Sequence, residues 1–208
     1  MNYNKSLIEK TINEYISEVD SKTPTPGGGS VVALVGSLAC ALAGMVAHFT
    51  INKKSFKELS EYDKDYFNEA IKNIEDIKQK LISIIDEDAN IFQEYMNITK
   101  KNNKEEEQKI VNKLINTSLN TLKYCYELTY EFDKVLKYGN ENLIADILIA
   151  YILINATSKA SIININVNLS ILNDNDILHN LKRDSLLYID RINFSYKNLE
   201  ERVNLFHI

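Results

Sequence analysis

Residues 24–50 read PTPGGGSVVALVGSLACALAGMVAHFT. Pro24 and Pro26 disfavour helix immediately before each ring. Gly27, Gly28 and Gly29 then admit backbone shapes closed to other residues. Ser30 or Gly29 is placed to cap the next element. That element is a run without a charged residue from Val31 to Asn52, with five alanines among residues 31–47. Gly36, Cys40 and Gly44 recur every four residues, so a helix here carries small side chains along one face. Such a face lets a second helix approach closely. The run is long and neutral enough to pass a crude test for a membrane span. Small residues dominate it, however, and neither a positive-charge asymmetry nor an aromatic belt flanks it. We read it as the buried central helix of a bundle with no membrane association.

Working outward, helical periodicity fills most of the chain. Leu7, Ile8, Ile12, Tyr15 and Ile16 give an amphipathic helix over 4–19. A stripe from Phe56 through Ile74 and Ile84 to Phe92 predicts a helix from about 57 to 100. Lys100–Gln108 is charged and polar, a solvated turn and helix start. A third stripe occupies 109–137, stopped by Gly139-Asn140. Residues 142–169 come next, then an Asn/Asp-rich turn at 173–176 and a last helix to about 203. Ile163–Leu169 alternates I-N-I-N-V-N-L, a strand pattern. It lacks a partner strand, and a lone strand leaves its backbone groups unpaired. We therefore read it as helix, with Asn164 and Asn168 on one face. The expectation is all-α: a single domain over 1–208, an antiparallel bundle of about five to six helices with the small-residue helix at its centre.

Composition agrees. The chain has 208 residues, 45% hydrophobic and 25% charged, with two prolines and six glycines, too few breakers for a many-turned β protein. Net charge −5 argues against nucleic acid as a partner, which demands clustered positive charge. Cys40 and Cys125 make neither a disulfide framework nor a metal cluster. The start MNYNKSLIEK has no apolar signal core. A reducing, cytoplasmic setting is the expectation. Asn, Ile, Lys and Tyr abound while arginine appears three times. This is the mark of drift in an AT-rich genome, and it makes residues 24–50 stand out further.

Three constellations can carry chemistry. The glycine loop exposes N–H groups at the positive end of a helix, suited to an anion or to a tight helix entry. Within D-E-D-A-N-I-F, residues 86–92, Asp88 falls a turn after Ile84 and a turn before Phe92, on an apolar face. A carboxylate there costs free energy unless it is paired or used, and burial moves its pKa toward the range of a general acid or base. Asp86 and Glu87 read as solvent-facing. Asp146 is the single charge in an apolar run over 143–154. Lone His48, and His179 and His207 near the end, lack metal-ligand spacing, so no metal site is expected.

P-T-P-G-G-G-S-V-V-A-L-V-G at 24–36 resembles the opening loop and helix of the formimidoyltetrahydrofolate cyclodeaminase and methenyltetrahydrofolate cyclohydrolase family. M-V-A-H-F-T-I-N-K-K at 45–54 and D-E-D-A-N-I-F at 86–92 resemble later blocks of that family. G-N-E-N-L-I-A-D at 139–146, with Asn164 and Asn168-Leu169, resembles its closing block. The resemblance covers nearly the whole chain. It implies an all-helical homodimer with a cleft for a tetrahydrofolate derivative as substrate and with no further cofactor. It makes Asp88 the catalytic carboxylate. Gly27, Gly28, Gly29, Ser30, Lys53, Lys54, Asp146, Asn164 and Asn168 fall where the family binds substrate or supports the cleft. Asn52 stands where the family has glycine, Ala145 where it has serine, and the family's prolines near Ser118 are absent. These departures keep a rival in view: a non-catalytic folate-binding or scaffold protein of the same fold.

Overall fold

A computed structural model describes residues 6–172 and 175–203. Its helices are α1 (Ile12–Val19), α2 (Gly28–Ile51), α3 (Lys54–Lys57), α4 (Glu61–Thr99), α5 (Lys104–Tyr138), α6 (Ile144–Leu169) and α7 (Asn175–Val203). No strand occurs among the described residues. Short 3-10 turns precede α1, at Leu7–Glu9, and α6, at Glu141–Leu143.

The starts of these helices are written in the sequence. Ser60 and Asn103 cap α4 and α5 by accepting from the N–H of Asp63 and Glu106, each satisfying a donor that the first helical turn leaves orphaned. The helix expected over 4–19 is divided instead. Thr11 and Glu14 form a capping box, with the Thr11 N–H donating to Glu14 Oε2 at 2.7 Å. That box starts α1 afresh, so Leu7–Glu9 remains a separate turn. The turn expected at 173–176 lies partly outside the described residues, as does His207.

α2 packs against α4, α6 and α5, α5 against α4 and α6, and α7 lies over α5 and α6. The glycine spacing works at Gly36, where a β-carbon would meet Leu81 of α4 at 3.2 Å and Thr157 of α6 at 3.3 Å. Gly44 is different: a β-carbon there meets no atom within 4 Å. α2 and the segment Glu141–Leu169 are both long and apolar enough to cross a membrane. In the bundle each packs on three other helices, which buries about half of each apolar stretch. The alternating stretch 163–169 is the last two turns of α6. Ile165 and Leu169 enter the core, while Ile163 and Val167 stand exposed. α5 and α4 are also tied by Lys134, 3.0 Å from Glu131 and 3.4 Å from Glu69, with its ammonium 4.3 Å from the centre of the Tyr66 ring.

Candidate active site

α2 begins with no side-chain cap of its own. Asp88, reaching in from α4, supplies one. The backbone N–H of Ser30 donates to Asp88 Oδ2 at 3.0 Å. The carboxylate lies so close over the helix start that a β-carbon on Gly29 would fall 2.0 Å from Asp88 Oδ1. Gly29 is therefore a steric requirement of Asp88. Ser30 itself is fully buried, and its hydroxyl donates to the Ile85 carbonyl at 2.7 Å. It supports the carboxylate from behind and does not line the cavity.

Burial raises the Asp88 pKa above the ordinary carboxylate value. The hydrogen bond from the Ser30 N–H works in the opposite sense, and the nearby Glu87 charge adds to the rise. Tyr15 of α1, also buried, is pushed up to about 12 by burial and then by the charges of Asp88 and Asp86.

Asp88 faces a cavity of about 190 Å³ whose floor is Gly27, Gly28 and Gly29. Asn164 and Asn168 of α6 form one wall, as their shared helical face predicts, with Ser118 of α5 beside them. Phe92, Leu114 and Val167 supply the apolar side. Asn168 donates to the Asn164 carbonyl at 2.9 Å. The Asn164 amide and the Ser118 hydroxyl have no hydrogen-bond partner among the described residues. Both are thus free for a ligand. Asp88 is the one ionisable group on these walls, and no cation balances it. Beyond the Pro24–Thr25 segment opens a second, larger cavity of about 770 Å³, edged by Asn90, Gln93 and the ion pair Lys10–Glu18.

The remaining expected residues lie elsewhere. Lys53 and Lys54 come after the far end of α2, which at 24 residues and 1.5 Å per residue is about 36 Å long. Lys53 donates to the Asn140 side chain, and exposed Lys54 stands 3.6 Å from Glu58. Asp146 sits half-buried in the first turn of α6, at that same far end, where the helix dipole favours an acid. Within one chain none of the three meets Asp88. Asp86 is not solvent-facing as expected. It accepts from the Leu7 N–H at 2.7 Å and from the Ser6 hydroxyl, capping the Leu7–Glu9 turn. Ser118 lines the cavity without belonging to any sequence motif. Its signal was the cluster Thr117, Ser118 and Thr121 inside an otherwise apolar stripe. Among the described residues no group of three metal-type ligands occurs.

Fold and site together define a helical-bundle protein with one desolvated carboxylate presented across a glycine floor to uncharged amides and hydroxyls. The family model described as formiminotransferase-cyclodeaminase matches residues 11–185, and the chain belongs to that family. A methenyltetrahydrofolate cyclohydrolase of Methylorubrum extorquens is 28% identical over 174 residues, 79% of this chain and 82% of that protein. The formimidoyltransferase-cyclodeaminase of Rattus norvegicus is 25% identical across 82% of this chain, which spans only 32% of the longer rat protein. A solved formiminotetrahydrofolate cyclodeaminase from Thermotoga maritima superposes with TM-score 0.85 at 27% identity, covering 92% of this chain and 94% of that one.

Proposed function

We propose that the chain is a one-carbon folate enzyme with Asp88 as its catalytic residue, acting as a formimidoyltetrahydrofolate cyclodeaminase or a 5,10-methenyltetrahydrofolate cyclohydrolase. The observation that carries this reading is Asp88 itself, half-buried, raised in pKa and facing a cavity without a cation. An unbalanced carboxylate in such a place favours a ligand that is, or becomes, positively charged. The bridged methenyl carbon between two folate nitrogens is such a ligand. In the cyclodeaminase direction, nitrogen-10 attacks the formimidoyl carbon on nitrogen-5. Asp88 takes the nitrogen-10 proton and returns it to the departing amine, and ammonia leaves. In the cyclohydrolase direction, water adds to the methenyl carbon and Asp88 takes its proton. The proton passes to nitrogen-5 as its bond to that carbon breaks, and the remaining hydroxyl proton is released to solvent as the carbonyl forms, leaving 10-formyltetrahydrofolate. One carboxylate serves both directions because both pass through a tetrahedral carbon between two nitrogens.

The free Asn164 amide and Ser118 hydroxyl are suited to hold the polar pterin ring, and the glycine floor lets its flat edge approach the backbone. The homodimer and the cytoplasmic setting belong to the same proposal. They are supported by the exposed apolar side chains of α2 and by two buried, unpaired cysteines. The test monitors the methenyl absorbance band with purified protein, as ammonia-releasing formation or as hydrolysis. Asp88→Asn is expected to lower the rate by roughly 10²–10⁴-fold while calorimetry with a folate analogue retains its affinity. Binding without any wild-type turnover would identify a folate-binding protein instead.

A further inference from the structure

Tyr15 is the single buried residue of α1, 8% exposed. Ile12, Ile16 and Val19 of the same helix are 81%, 59% and 41% exposed. The Tyr15 ring is therefore what fastens α1 to the bundle. It is seated at an apolar groove of about 660 Å³ whose walls include Val31 and Leu34 of α2 and Ile85 of α4. A phenyl ring would fasten the helix equally well. The hydroxyl is the part that packing does not explain. It is buried and has no hydrogen-bond partner among the described residues. Such a group destabilises the fold, because it has given up water and gained nothing in return. Its presence calls for a second use.

The surroundings supply that use. Ser30, next to Val31 in the chain, donates its N–H to Asp88 Oδ2 at 3.0 Å and its hydroxyl to the Ile85 carbonyl at 2.7 Å. Tyr15 thus shares its groove with Val31 and Ile85, which adjoin the seat of Asp88, and stands outside the cavity that Asp88 faces. The helix start fixes its place: the Tyr15 N–H donates to the Thr11 carbonyl at 3.0 Å, directly behind the capping box. The charged groups around the phenol are Asp86 and Asp88 of α4, with Glu87 between them, and Lys10 and Asp20 at the groove beside α1; α2 brings none. Lys10 is paired with Glu18. Asp86 already accepts from the Leu7 N–H and the Ser6 hydroxyl. Burial, then the charges of Asp88 and Asp86, push the Tyr15 pKa up to about 12. The phenol therefore stays protonated at every pH where a carboxylate titrates. It is a fixed, neutral O–H dipole in a desolvated place, where such a dipole acts strongly on a nearby carboxylate.

We propose that Tyr15 is a positioning residue for Asp88: its buried O–H dipole favours the carboxylate form of Asp88 and keeps that group a base in a place where burial works to hold it as the neutral acid. The use made of that base rests on the folate reading above. Tyr15 touches no substrate in this role and transfers no proton. It acts through Asp88, by setting how much of the free protein carries the charged form at a given pH. The sign follows directly. Removing a group that favours the charged form of an acid raises the pKa of that acid. Tyr15→Phe keeps the ring that fastens α1 and deletes only the dipole.

The first test needs no activity. The protein is labelled at its aspartate carboxyl carbons and titrated by NMR, with the Asp88 signal assigned by its loss in Asp88→Asn. In Tyr15→Phe the Asp88 midpoint is expected about one pH unit above that of the wild type. A midpoint that is unmoved or lowered overturns the proposal, whatever happens to the melting temperature, and leaves Tyr15 a packing residue. The second test uses the methenyl absorbance assay. The acid limb of kcat/KM against pH is expected to move upward in Tyr15→Phe by the same interval as the NMR midpoint, with the plateau at higher pH retained. A raised midpoint without turnover in either protein, or with an unmoved limb, upholds the action of Tyr15 on Asp88 and removes Asp88 as the catalytic base of the folate reading.

Discussion

Gly29 has no side chain because Asp88 occupies the place one would take. Alanine is the better helix former by about 1 kcal/mol, so Gly29→Ala favours α2 in isolation. In the folded chain its β-carbon sits 2.0 Å from Asp88 Oδ1, so the carboxylate must swing away and lose the Ser30 N–H. The expected outcome is a split. The melting temperature stays within a few degrees, about 2–4 °C per kcal/mol for a chain of this size. Turnover in the methenyl assay falls at least tenfold, an effect of about 1.4 kcal/mol or more on the barrier. Wild-type turnover in Gly29→Ala would mean that the exact seat of Asp88 is immaterial. At this scale the sequence was readable wherever a residue broke its surroundings: Asp88 on an apolar face, glycines in succession. It was unreadable where the outcome depended on a partner far along the chain. Asp86 reads as a surface acid because nothing local says that the Leu7–Glu9 turn, 79 residues earlier, brings an N–H to it. Ser118 is unremarkable until α6 sets Asn164 beside it.

Between elements, the clearest case is α6. Its last turns alternate apolar and asparagine in perfect strand period, and local pattern alone favours β. The helix prevails because backbone pairing must be completed somewhere, and α6 finds it within itself while burying Ile165 and Leu169. The same turn then delivers Asn164 and Asn168 to the cavity. Crossing geometry is the other element-scale determinant. Gly36 lies between Leu81 and Thr157 with no room for more. Gly36→Leu is expected to overpack that crossing and cost about 1–3 kcal/mol, read as a lower urea midpoint with an unchanged slope. An unaltered midpoint would mean that α2 does not hold α4 and α6 at this distance. The division of the first predicted helix has a local cause. Thr11-x-x-Glu14 is a legible start signal, and amphipathic spacing runs straight across it.

Across the whole molecule, Asp88 sets a cost that stability must carry. Its pKa is raised in the folded state, so the native chain holds a proton that the unfolded chain has released. Between the ordinary carboxylate value and the raised one, stability therefore falls as pH rises, and above that window the loss is complete. The other acidic groups near Asp88 are Glu87, Asp86 and Tyr15, and they do not reverse this sign. Asp88→Asn is neutral throughout. It is expected to melt higher than wild type at neutral pH and to lose that part of the acid-side slope, measured by thermal unfolding from pH 4 to 8. A lower melting temperature at neutral pH would mean that the charged form is the better accommodated one.

The tight crossing of α2 also leaves a trace outside the protein. Twelve of the 27 residues from Pro24 to Thr50 are glycine, alanine or proline. Every codon for these three amino acids has G or C in both of its first two positions. Where Gly29 must clear Asp88 and Gly36 must clear Leu81, a gene otherwise weighted toward A and T is held to G and C. The packing of one helix is thereby recorded as a local rise in the base composition of the DNA that encodes it.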